Sequence, residues 1–161
     1  MNLNSLKWVC HHLHIDKSNT ITNARLDKSL VHMRNKWILM RDIKTKYTRH
    51  DLKKRMLKTT SMIMRQGCRK MRTFIDIDNI VGLEPLYAAI DVKNYWKPRG
   101  IELQLGTQLL EGLETPENIK LFEEAAELVD FIGCLPSRDT SPEKHLDIVF
   151  SKASDMGKDI E

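Results

Sequence analysis

The sequence has no uninterrupted apolar run near the roughly 18 residues a bilayer-crossing helix needs, and no apolar stretch set behind a basic start. It therefore offers neither a membrane span nor a secretory signal. Its first fourteen residues lack acids but also lack arginine, which argues against a mitochondrial leader. Cysteine is sparse as well: Cys10, Cys68 and Cys134 are odd in number and far apart, as in a chain with reduced thiols in the cytoplasm or nucleus. Aromatic residues make up only 6%, with Tyr47 and Phe74 nearest to the basic stretch, so stacking on unpaired bases finds little support.

Acidic residues are scarce in one half. Residues 1–75 hold 4 Asp+Glu against 18 Lys+Arg (net +14), and residues 76–161 hold 18 against 8 (net −10). What is present, 41% apolar and 30% charged residues over 161 positions, sits in the globular range. A chain of this length buries on the order of two-thirds of its unfolded surface, and we read it as one domain, 1–161.

The stretch Asp51 to Phe74 organises the reading. Leu52, Met56, Thr60, Ile63, Gly67, Met71 and Phe74 share a stripe at helical spacing, with Lys54, Lys58, Arg65, Arg69 and Arg72 opposite. Lys44, Lys46 and Arg49 lie just before it, and the whole set is the candidate ridge for nucleic acid or an acidic protein. Neutralisation of one half by the other across the fold, with these side chains on a solvated face, is the alternative.

The remaining segments also read as helices. A short one spans 4–14 with Asn4 or Ser5 as cap, and a longer one starts at Asn23 with Leu26, Leu30, Met33, Trp37 and Met40 inward, Trp37 being the best core residue. Asp51 caps the central helix. Glu84-Pro85, Thr115-Pro116 and Ser141-Pro142 carry helix-start signals, and the apolar face that follows Pro116 runs to a stop at Gly133. Ile101, Leu105, Leu109 and Leu113 recur every fourth position, a core stripe or a surface (Leu105, Leu109, Leu113) for docking a partner helix. The tail from Ser154 is expected to fray. The sum is an all-α, irregular single-domain bundle of about six or seven helices.

Two clusters invite chemistry. Cys10, His11, His12 and His14 crowd together, but on a helix only Cys10 and His14 share a face, and a distant Cys68, Cys134 or His145 would be needed to complete a zinc site. Phe74 to Asn79, FIDIDN, places apolar residues before Asp-x-Asp and resembles the metal-binding edge of PIN-like and HAD-like phosphoryl-transfer and nuclease folds. That resemblance implies magnesium held by Asp76 and Asp78. The run from Ile75 to Val81 reads as a short strand of alternating character or as a loop in which Asp78 caps one turn; without the further strands those folds require, the acids read as caps at a helix boundary, so that replacing either by alanine leaves any activity unchanged. Thr115-Pro116 and Ser141-Pro142 are also minimal phosphorylation sites, explained already as caps.

The sequence thus suggests a non-enzymatic assembly module, without cofactor or metal, that docks on nucleic acid or a ribonucleoprotein through its basic half and without sequence-specific readout. A protein-only adaptor or homo-oligomerising subunit is the second reading. A magnesium-dependent nuclease or phosphoryl-transfer enzyme using Asp76 and Asp78 is the third.

Overall fold

The structure, a computed structural model, describes residues 8–30 and 32–161. Its chain runs β1 (Trp8–Leu13), α1 (Asn23–Ser29), α2 (Met33–Lys44), α3 (Arg49–Arg65), β2 (Cys68–Asp76), α4 (Glu84–Trp96), β3 (Glu102–Gln108), α5 (Pro116–Leu128) and α6 (Pro142–Met156). The three strands form one parallel sheet in the order β1-β2-β3. The all-α bundle expected from the sequence is therefore wrong, and the fold is mixed α/β.

The long basic helix is two elements. It starts one turn early, where the Thr48 hydroxyl, rather than Asp51, accepts from the Asp51 amide at 3.2 Å. It ends before Gly67, whose φ of +94° is open to glycine and closed to most side chains. Leu52, Met56 and Thr60 are buried as their stripe requires. Beyond Gly67 the same stripe is a strand, with Met71, Thr73 and Ile75 turned to the helices.

The leucine series behaves similarly. Leu103 and Leu105 point from β3 into the core, and Leu109 and Leu113 follow in the loop, all of them buried. Leu105, Leu109 and Leu113 are thus spent on the chain's own core rather than offered to a partner helix. The expected helix at 4–14 is β1 over its described part, and its proposed caps, Asn4 and Ser5, lie outside the described residues.

The helix from Asn23 breaks into α1 and α2, and Trp37 is 37% exposed, with the Arg138 guanidinium 4.0 Å over its ring. The helices opened by Pro85, Pro116 and Pro142 stand where their start signals place them, and Thr115 caps the Asn118 amide at 3.2 Å. The apolar run toward Gly133, however, leaves α5 at Leu128, and Phe131 joins the sheet beside Gly106. Nor does the tail fray: Ile132 donates to Asp159 O at 2.8 Å, and Glu161 donates back to Ile132 O at 2.9 Å.

Each parallel step thus crosses back through helix, and order along the sheet follows order along the chain: β1, β2, β3, Phe131, then Ile160. A doubly wound sheet reverses its order, whereas the wall of a (β/α) barrel does not. On one face Met71, Ile75, Leu103 and Leu105 join Leu86, Ala89, Val92, Phe122 and Ala126 in a common core. The opposite, inner face carries Arg72, Phe74, Gln104 and Phe131. There Arg72 Nε donates to Gln104 Oε1 at 3.1 Å, and Phe74 meets Phe131 edge to face at 5.2 Å. Small residues let these rings in, since a Cβ at Gly106 would come within 2.2 Å of Phe131.

As a core residue, Leu105 replaced by alanine is expected to cost about 2–5 kcal/mol of unfolding free energy, read as a lower urea midpoint at unchanged slope. A leucine serving only a partner would leave the isolated chain's midpoint where it was.

Candidate active site

The carboxyl ends of parallel strands point their final side chains and loops to one edge, where ligands of such folds bind. Three strands deliver groups to this edge. From β1 come His12 and, one residue beyond its end, His14, followed by a turn of helix over Ile15–Lys17 that carries Asp16 and Lys17. From β2 come Asp76, its last residue, and Asp78. From β3 comes Gln108.

The local order comes from two anchors. Thr73 Oγ1 accepts from the Ile15 amide at 3.2 Å and donates to Leu13 O at 3.1 Å, which pins the exit of β1 to β2. Arg55 of α3 donates to the carbonyls of Asp16 and Ser18 at 2.6 and 2.9 Å, which holds the following turn.

The edge is a network of buried charge. Asp16, Asp76 and Asp78 are fully buried, and Lys44, the last residue of α2, is 2% exposed. Lys17 Nζ donates to Asp76 Oδ1 at 2.5 Å and also to Gln108 Oε1. Lys44 Nζ donates to Asp78 Oδ2 and lies 3.2 Å from Asp76 Oδ2. The latter is an ion pair without hydrogen-bond alignment, so Asp76 Oδ2 keeps an unpaired acceptor among the described residues. Asp78 Oδ1 turns the chain by accepting from the Ile80 and Val81 amides at 3.0 and 3.2 Å. Asp16 Oδ2 accepts from the Asp76 amide at 3.0 Å.

These neighbours set the protonation of each group. Burial works to raise the pKa of Asp76, but the Lys17 and Lys44 charges outweigh it and hold the carboxyl below its ordinary value. Burial likewise opposes the charge on Lys44, and Asp76 and Asp78 more than reverse it, raising its pKa. For Asp16 burial wins, and the carboxyl is pushed up to about 6. Burial, then the charge of Lys17, lowers His14 to about 4, so its ring is neutral at pH 7. Its Nδ1 is buried without a hydrogen-bond partner among the described residues. The His14 ring lies 5.1 Å from that of His12 and 5.5 Å from that of Phe74.

The sequence singled out some of these groups and misread their setting. Asp76 is not a cap but the last residue of a strand, while Asp78 does cap the turn that follows through its Oδ1, and both are buried against lysines from distant segments. Cys10, His11, His12 and His14 lie on or beside a strand whose register slips between Cys10 and Leu13, so Cys10 packs toward the core with Leu13 while the His12 and His14 rings stand together. His145 lies elsewhere: its Nδ1 is 2.6 Å from Asp139 Oδ2, and its Nε2 accepts from the Leu135 amide at 3.2 Å. Asp16, Lys17 and Gln108 were not singled out at all. Alternation in HHLH followed by Asp-Lys was the signal available for the first two; Gln108 had none.

The basic candidates are dispersed. Lys44 is inside the network, Arg49 is bound to Asp91 at 3.1 Å, Lys46 is 3.5 Å from Asp42, and Arg72 on the inner face is 2.9 Å from Glu161. Lys54, Lys58 and Arg65 are exposed on α3, and Arg69 is exposed on β2. They do not line one helix.

Removing the cation while two acids stay buried is costly: Lys44→Met is expected to lose about 3–5 kcal/mol in urea unfolding. Lys58→Met, at an exposed site, is expected to stay within about 0.5 kcal/mol of the parent.

The acid limb carries a second signature. The raised Asp16 contributes stability at low pH that is lost as pH climbs from its ordinary 3.8 to about 6. The depressed His14 contributes stability above its ordinary 6.5 that is lost as pH falls to about 4. The two oppose each other across this window. Relative to the parent, Asp16→Asn should make stability rise more steeply with pH there, and His14→Gln should tilt it the other way, in thermal melts across the series.

No protein-family profile matches the chain. It is 31% identical over 157 residues to an uncharacterized protein of Haemophilus influenzae, covering 93% of this chain and 56% of that one. Among solved structures it is similar to 5-methylcytosine deaminase from Klebsiella pneumoniae liganded with phosphonocytosine, with a TM-score of 0.82 and 25% identity over 92% of this chain and 37% of the deaminase. It is also similar to N-isopropylammelide isopropylaminohydrolase from Burkholderia multivorans, with a TM-score of 0.75 and 23% identity over 94% of this chain and 38% of the other. The chain thus spans little over half of the curated relative and under two-fifths of the solved chains. These likenesses to enzymes overturn the expectation of a non-enzymatic assembly module docking on nucleic acid. Among the described residues no helix is long and apolar enough to cross a membrane.

Proposed function

We propose that these strand ends belong to a hydrolytic site that releases an amine from a small ring substrate of the cytosine type. The observation that carries the proposal is the meeting, at one strand edge, of a neutral His14 whose Nδ1 has no hydrogen-bond partner among the described residues, an Asp76 held ionised by Lys17 and Lys44, and the Lys17 ammonium. The likeness to a deaminase and an aminohydrolase supplies the reaction class.

Such a reaction adds water to the carbon that bears the amine. A C–O bond forms, the C–N bond breaks, and a proton from the water leaves on the nitrogen. A neutral imidazole and an ionised carboxylate suit the proton transfers, and an ammonium suits hydrogen bonding to a ring oxygen. Asp76 keeps its charge through Lys17 and Lys44, and Asp16 orients the Asp76 backbone.

A divalent metal ion, when bound, would supply the activated water by lowering its pKa to about 7. The donors fit one in part. His12 and His14 stand together, and the buried unpaired Nδ1 of a neutral His14 is a competent ligand atom. Two imidazoles fall short of a tetrahedral set, and no group of three or more His, Cys, Asp or Glu suited to a metal occurs among the described residues.

The test is release of ammonia from cytosine and 5-methylcytosine by the purified protein with and without added zinc, alongside calorimetric titration of 5-fluorocytosine. Turnover that drops about 10²–10⁴-fold in Asp76→Asn and in His14→Ala, with unchanged circular dichroism, is the expected result. Neither turnover nor binding of these bases, or turnover indifferent to both substitutions, would overturn the proposal.

A further inference from the structure

Two surfaces away from the strand ends are complementary to each other. The first is the α1–α2 hairpin. No residue of α1 is buried, and in α2 only Ile43 and Lys44 are. Leu26, Leu30, Met33 and Ile38 are 47, 73, 53 and 64% exposed, four large apolar side chains open on two short helices. Lys28, Arg34 and Arg41 are exposed on the same two helices, where the exposed acids are Asp27 and Asp42, so the arm is basic in balance. The hairpin is thus an apolar arm with basic edges, held to the body mainly at its end by Lys44 and by Trp37 under Arg138.

The second surface is the groove between α5 and α6, with a volume of about 520 Å³. Ile119, Phe122 and Ile148 form its floor, and Glu123, Asp147 and Asp155 its rim. The cation on that rim, Lys152, is engaged by Glu127 at 2.8 Å, so the free charge around the groove is negative.

We propose that the α1–α2 arm of one copy of this chain seats in the α5–α6 groove of a second copy, with Lys28 and Arg34 facing Asp147 and Asp155. The occupant is a second copy because both halves of the match, an apolar arm edged with positive charge and an apolar groove rimmed with negative charge, are carried by the same chain. Opposite charges at the rim set register and partner choice, while the apolar contact supplies the bulk of the affinity. Reciprocal exchange, each copy giving one arm and receiving one, closes the assembly as a two-fold dimer. The site at the strand ends takes no part in this contact.

Sedimentation velocity and light scattering across a concentration series test it, with three versions of the full chain. The parent is expected to dimerise. Lys28→Glu with Arg34→Glu, and separately Asp147→Lys with Asp155→Lys, are each expected to be monomeric, and the two mixed in equal amounts are expected to regain the dimer. All these positions are exposed, and melts of each variant check folding. A parent that stays monomeric, charge-reversed variants that still dimerise, or a mixture that does not reassociate would each overturn the proposal. Loss of amine release with an intact dimer would count only against the proposed activity.

Discussion

The arrangement depends on two lysine ammonium groups that neutralise carboxylates buried at the end of β2. Asp76 sits between Lys17, which leaves β1, and Lys44, which ends α2; the Lys44 contact is made where water is excluded, and the half-buried Lys17 closes the outer side. An uncompensated charge in that position costs several kcal/mol, so the acids can be ionised there only if both distant segments arrive. The network therefore ties together β1, the helical insertion that follows it, and β2. It also forces an imbalance: three acids meet two lysines, and burial raises the third acid, Asp16, toward the proton.

Around that network the fold supplies rigidity by close approach. Gly133 donates to Thr107 Oγ1 at 3.0 Å, and a Cβ on Gly133 would lie 1.9 Å from the Thr107 carbonyl oxygen, so β3 and the strand-like segment behind it have no slack. One loop further, Asp139 accepts from the Leu113 amide at 2.9 Å and engages His145, which receives the Leu135 amide. This buried clasp joins the loops that leave β3 and Phe131 to the start of α6. The same edge that bears the charges is thereby bordered by loops of fixed course, which is what a site for an oriented small substrate requires.

A fold shared with a deaminase and an aminohydrolase does not of itself assign chemistry. The strand ends set a neutral imidazole beside an ionised carboxylate and a lysine, and it is on this grouping that the proposed amine release rests. The inner face adds a second layer, with Phe74 against both histidine rings, Phe131 edge-on to Phe74, and Arg72 over the Phe131 ring at 4.4 Å.

Much of the helical half was legible, because helix starts are local chemistry: Thr115-Pro116-Glu117 contains its own cap, its own fixed φ and its own dipole partner. Of the strands, the alternation from Ile75 hinted only at the end of β2, and the rest were hidden for two reasons. Parallel strands covered on both faces lose their alternation, and an every-fourth repeat such as Ile101, Leu105 and Leu109 satisfies a period of two as well as one near 3.6. Gly67 was read as part of a helical stripe although its position before Cys-Arg-Lys marks the end of one. The chain by itself determined where acids, histidines and lysines stand and where most helices begin, since those follow from residue type and near neighbours. Tertiary structure alone decided that Lys17 and Lys44 meet Asp76 and Asp78 across 59 and 34 positions of sequence, because pairing and burial arise only where distant segments exclude water together.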